Sequence, residues 1–179
     1  MEQIIFNKLL LKTAFSCMAC DGDIDKREII LIKSMHLNKK TFGEIDINQE
    51  LDNLLLEINR DGHKFLKSFL NSLSSSLLSV KEELHLIEVA IETIKADDKI
   101  EYSEVKFFKV IRSNFKITNE SILERHPDFE EYLEQDIISE SYLRKLQDDF
   151  FDTHTSPKFD FIKPINNNFS DIIDTTDVT

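Results

Sequence analysis

Glycine and proline are scarce, with three of each in 179 residues. Tight β-turns draw on both, so a sheet-rich fold has little turn material here and helices meet few interruptions. Tryptophan is absent and there are only two cysteines, too few for the disulfide framework of a small secreted domain. Cationic side chains are also in deficit: 22 Lys and Arg face 34 Asp and Glu, a net charge of −12. Such a field repels a phosphate backbone, and no local basic patch interrupts it, so nucleic acid is not expected as a partner. No apolar run approaches the roughly 18 residues of a membrane span. The start, Met1-Glu2-Gln3-Ile4-Ile5-Phe6, lacks the basic region, apolar segment and small-residue cleavage site of a secretory signal, and a cytoplasmic location is expected. Catalytic signatures are missing too. There is no nucleophile elbow, no P-loop and no Gly-rich phosphate cradle. His36, His63, His85, His126 and His154 stand apart, without the paired spacing of a zinc site. An enzyme is not expected.

What the chain does contain is enough apolar material for a core, 41% of residues, rich in Leu, Ile and Phe among Lys and Glu. It also contains a repeat. Asp21-Gly22-Asp23-Ile24-Asp25 leads to Glu28; 76 positions on, Asp97-Asp98-Lys99-Ile100-Glu101 leads to Glu104. The flanks keep register. Leu11, Ala14, Phe15 and Met18 correspond to Ile87, Ala90, Ile91 and Ile94. Ile29, Leu31, Ile32 and Met35 correspond to Val105, Phe107, Phe108 and Ile111. An apolar helical pattern preserved on both sides of an acidic turn indicates a duplicated helix–turn–helix unit. The expected fold is all-α: a compact bundle of about seven to eight helices with this internal pseudo-repeat, spanning 1–151, followed by an extended segment over 152–179.

In chain order, helices are predicted over about 3–20, 25–38, 48–60, 63–78, 80–96 and 102–115, with a seventh from Thr118 or Asn119 that stops before Pro127. Shorter pieces follow near 128–135 and 139–151, the latter with Leu143, Leu146 and Phe150 in register. Asp25 and Glu28 make a capping box at the second helix, with Ile24 and Ile29 as its staple, and Ser79 and Glu82 make another at the fifth. Asp61-Gly62 is predicted to separate the third helix from the fourth, whose stripe is Leu66, Phe69, Leu70, Leu73 and Leu77. Beyond Phe151 no period is sustained. Phe159, Phe161, Ile162, Ile165, Phe169, Ile172 and Ile173 nevertheless make this stretch too apolar for a solvated tail. It is expected to dock on its own body or on a partner.

The acidic turn admits two readings. Asp21, Asp23 and Asp25 have the 1-3-5 spacing of an EF-hand loop, but Lys26 stands at position 6 and Ile32 at position 12, which excludes that loop. Capping and Asx-turns explain Asp21, Asp25 and Glu28 without an ion. Yet three Asp within five residues exceed what capping needs, and clustered carboxylates suit Ca²⁺ or Mg²⁺. The sequence Cys17-Met18-Ala19-Cys20 lies at a helix C-terminus, where the dipole disfavours a thiolate, so both cysteines are expected in or near the core. The acid pairs Glu82-Glu83 and Asp148-Asp149 read as solvated helix faces.

The segments Met18-Ala19-Cys20-Asp21-Gly22-Asp23-Ile24-Asp25 through Glu28, and Ile94 through Glu104, resemble the repeated pattern of the TerB family, named for bacterial tellurite resistance. The likeness covers about residues 5–116. Two turns at corresponding places carry it, although Cys20 replaces the usual small residue and Asp98 replaces the second Gly. The resemblance implies an all-helical domain and a role in stress response, tellurite resistance or phage defence. It also implies acids gathered into a metal site: Asp21, Asp25 and Glu28 with Asp97, Glu101 and Glu104, to which Asp23 and Asp98 are added. The function expected is a non-enzymatic interaction module that meets a protein partner through the acidic face or the C-terminal segment. The alternatives are a metal-dependent hydrolase with acids from both copies in one cleft, and a structural scaffold that forms homo-oligomers. Whether the two turns lie at the same end of the bundle separates one shared site from two local caps.

Overall fold

The computed structural model describes residues 2–21, 24, 26–95, 100 and 102–133, with only the backbone of Asp21 and Lys26. Helix occupies 81% of these residues and no strand occurs among them, so the fold is all-α. The helices are α1 (Gln3–Met18), α2 (Lys26–Lys39), α3 (Ile47–Ser75), α4 (Val80–Ile94), α5 (Tyr102–Ser113), α6 (Asn119–Leu123) and α7 (Glu130–Leu133). Short 3₁₀ turns at Ala19–Asp21 and Pro127–Phe129 complete the order. None of the described helices is long and apolar enough to cross a membrane. The helix expected at 139–151 and the whole of 152–179 lie outside the described residues.

The central element is α1. Its expected stripe of Leu11, Ala14, Phe15 and Met18 is buried, and so are Thr13, Ser16 and Cys17 between them. From Thr13 to Met18 the helix is covered on all sides, though Gln3, Ile4, Ile5 and Lys8 are exposed, and α1 packs on α2, α3, α4 and α5. Thr13 tolerates the interior because its Oγ1 donates to the Leu9 carbonyl at 2.8 Å. Edge-on ring pairs tie the layers together: Phe15 meets Phe65 of α3 at 5.7 Å, and Phe108 of α5 meets Phe129 at 5.0 Å.

The break at Asp61-Gly62 takes a form the spacing does not reveal. As expected, it parts two helical segments, here the two halves of α3, but through a one-residue kink rather than a loop. Asp61 leaves helical geometry (φ −162°, ψ 85°), and its Oδ1 accepts the Lys64 N–H at 3.1 Å. A single residue thus ends one helical segment and caps the next. At the far end the serine run stops the helix three residues early. Ser72, Ser74, Ser75 and Ser76 each donate to a carbonyl one turn back. Leu77, assigned to the buried stripe by its spacing, falls beyond that stop and is 94% exposed.

The second unit repeats the first in more than its apolar pattern. Ser79 and Glu82 form the expected reciprocal capping box on α4. Glu83 beside it is not the solvated acid its neighbour suggests. It is buried, and its Oε2 accepts the N–H groups of Lys116 and Ile117, both at 2.9 Å. Asn7 is the residue 76 positions earlier. It too is buried, and it lies against Gly43, where an added Cβ would stand 2.0 Å from Nδ2. Gly43 also holds φ +60°, the left-handed region glycine adopts without cost. In each unit, then, the same position of the first helix braces the loop that follows the second. Arg112 finishes the second brace by donating to the carbonyls of Phe115 and Ile117 and to Asn119 Oδ1. Burial lowers its guanidinium pKa, while Glu83 and Glu120 hold it up.

Candidate functional site

The two acidic turns follow α1 and α4 respectively. The 3₁₀ turn Ala19–Asp21 carries the chain out of α1 with Ala19 and Cys20 still buried, and this turn packs against α5 of the other copy. Glu28 is the third residue of α2 and Glu104 the third residue of α5, so the two hold equivalent positions in their helices. Only 8% of Glu28 and 7% of Glu104 is exposed. Glu82 occupies the corresponding place in α4 and stays half-buried within its capping box. The capping position alone therefore does not bury a glutamate. Burial comes from the first turns of α2 and α5 closing on the end of α1.

Cys17 shows that they close on the same place. Its thiol is buried in the last turn of α1. Burial pushes its pKa up, and the carboxylates of Glu104 and then Glu28 push it further. Both acids, one from each copy, therefore lie within electrostatic reach of one sulfur atom. The first turns of α2 and α5 therefore both lie by the last turn of α1. Two helix N-termini contribute their positive dipole ends to that region, which favours carboxylates there. Cys17 and Cys20 are not joined in a disulfide, and their burial agrees with the core placement expected of them.

Of the eight acids expected to gather, Glu28 and Glu104 are brought to the same part of the fold. The backbone of Asp21 closes the 3₁₀ turn. Asp23, Asp25, Asp97, Asp98 and Glu101 lie outside the described residues, as does the side chain of Asp21. Among the described residues no three of His, Cys, Asp and Glu come close enough to hold a metal ion, so Cys17, Glu28 and Glu104 do not form a ligand set by themselves. Comparison with protein-family models, with curated proteins and with solved structures gives no match for this chain.

Two features escape a reading by motif. One is Glu83, whose signal is the repeat itself: the 76-residue offset maps it onto Asn7. The other is the place of Cys17 between two acids 76 positions apart in sequence, which only packing reveals.

Proposed function

We propose that the chain is a non-enzymatic helical interaction module of the TerB type, acting in a bacterial stress-response or phage-defence system. Its two acidic turns form one docking end that a divalent cation controls. The observation that supports this reading is the burial of Glu28 and Glu104, equivalent residues of the two copies, beside a single thiol.

Converging carboxylates repel one another, and a hard cation relieves that repulsion through oxygen ligands. Calcium takes about six to eight such ligands. Glu28 and Glu104 would supply some of them, and Asp21, Asp23, Asp25, Asp97, Asp98 and Glu101 are the remaining donors in the same two turns. Ion binding would discharge the end of an already acidic molecule and so change which partner surface it attracts.

Calorimetric titration with Ca²⁺ and with Mg²⁺ tests this. The wild-type chain is expected to release or absorb heat and to gain thermal stability at about millimolar ion. Asp21→Ala and Glu104→Gln should each abolish both signals. A wild-type chain that gives neither heat nor a thermal shift would reduce the turns to helix caps.

A further inference from the structure

Beyond Leu133 the chain continues for 46 residues. The point of departure is fixed by a series of contacts. Asn119 Nδ2 donates to the Leu133 carbonyl at 3.3 Å, and Asn119 Oδ1 accepts from Arg112 at 3.1 Å. Asn114, two residues past Arg112, bonds Ser74 in the last turn of α3. These contacts link Leu133, through Asn119 and α5, to the C-terminal end of α3.

The exposed side of α3 approaching that end carries a shallow depression of about 450 Å³, lined by Lys64, Lys67, Ser68, Asn71, Ser72 and Ser75. These residues fall at helical spacing along one face, about 17 Å long at 1.5 Å per residue. Ser72 and Ser75 spend their hydroxyl protons on carbonyls of their own helix. The lysine ammonium groups, the Asn71 amide and the Ser68 hydroxyl are thus donors the face offers. Lys64 pairs with Asp61, while no acid pairs with Lys67 among the described residues. Just past this face stand two outward aliphatics, Leu77 at 94% exposure and Val80 at 63%.

We propose that the C-terminal segment Phe159–Asp174 folds back in cis onto this face of α3. It has the complementary chemistry. Residues 152–179 carry five Asp against two Lys, and Phe169-Ser170-Asp171-Ile172-Ile173-Asp174 alternates acids with large apolar groups. On a molecule of net charge −12, a strip with an uncommitted lysine repels an acidic segment less than acidic surface does. The aspartates meet Lys64 and Lys67, and the aliphatic and aromatic side chains cover Leu77 and Val80. Reach is no obstacle, since 46 residues extend far beyond 17 Å at about 3.3 Å each. The covalent link supplies a high effective concentration, so individually weak contacts suffice. This proposal is independent of cation binding at the acidic turns.

Hydrogen exchange on the full-length chain, followed by mass spectrometry, is the test. Amides within Phe159–Asp174 should be protected in the wild type. The double variant Lys64→Glu/Lys67→Glu, with its helical content unchanged by circular dichroism, should lose that protection about tenfold, as reversal of two exposed ion pairs implies. Adding Asp171→Lys/Asp174→Lys should restore it. An unprotected segment in the wild type overturns the proposal, as does protection that the lysine variant leaves unchanged. Protection that fades on dilution, together with a larger mass by light scattering, assigns the segment to a second copy and overturns it as well.

Discussion

At the scale of single residues, Cys17 has the clearest consequence. Its thiol pKa is raised above its ordinary 9.0 by burial first, then by Glu104 and Glu28. The unfolded chain gives up this proton near 9.0 while the folded chain keeps it. Above that pH the folded state binds more protons, so stability is full below it and declines as pH rises past it. The urea midpoint of the wild type should therefore fall between about pH 8 and about pH 10, and Cys17→Ala should flatten the slope. Equal slopes in the two proteins would remove Cys17 as the cause. The sequence announces that this cysteine is buried, because free cysteine behaves as a small apolar side chain and this one lies at a helix C-terminus, where a thiolate is disfavoured. It does not announce what surrounds it. Glu83 makes the same point from the other side: beside Glu82 it looks solvated, and only the loop that folds over it turns it into an acceptor for two backbone amides.

At the scale of elements, the helices are fixed largely by their ends. Ser79 with Glu82, Thr118 with Ser121 and Asp46 with Gln49 are local devices, written within four residues, and such devices are readable in a sequence. Several leave acids held below their usual range. Asp61 is held down by its bonds from Lys64, Glu82 by the Ser79 amide and then its hydroxyl, and Glu120 by its own amide and then the Thr118 hydroxyl. The unfolded chain takes up protons at these groups before the folded chain does. Their contribution is thus complete above the ordinary carboxylate pKa of 3.8 to 4.5 and is lost as the solution is acidified through the folded values. Each carboxylate still reaches solvent, so each effect is small. Stability should drop between pH 7 and about pH 3.5, and Glu82→Gln should show a smaller drop than the wild type in denaturant midpoint. An identical drop would mean that the box does not depend on its charge. Where element boundaries differ from the sequence pattern, the cause is also local chemistry. The break expected at Asp61-Gly62 is there but takes a single residue, because Asp61 caps the next segment at once, and the serine hydroxyls end α3 before Leu77 can turn inward.

At the scale of the molecule, the duplicated unit meets itself. Glu28 and Glu104 bear on the same thiol, so altering one changes the surroundings of the other. In a double-mutant cycle of Glu28→Gln and Glu104→Gln, measured by urea unfolding, the two effects are expected to depart from additivity by at least about 0.5 kcal/mol. Strict additivity would describe two independent caps. Composition, the helical period and the 76-residue repeat suffice for an all-α chain built from two related helix–turn–helix units, because apolar periodicity and capping act over a few residues. The acids of each turn are equally legible as residues. Their meeting is not, since it depends on how α1, α2 and α5 are laid against one another, and contacts between residues 76 apart leave no periodic trace in the chain. The sequence by itself determined that an acidic turn would be written twice. Tertiary packing decided that the buried glutamates of the two copies would converge on one end of the bundle, because only side-chain interlocking over long separations sets where two helix pairs come together.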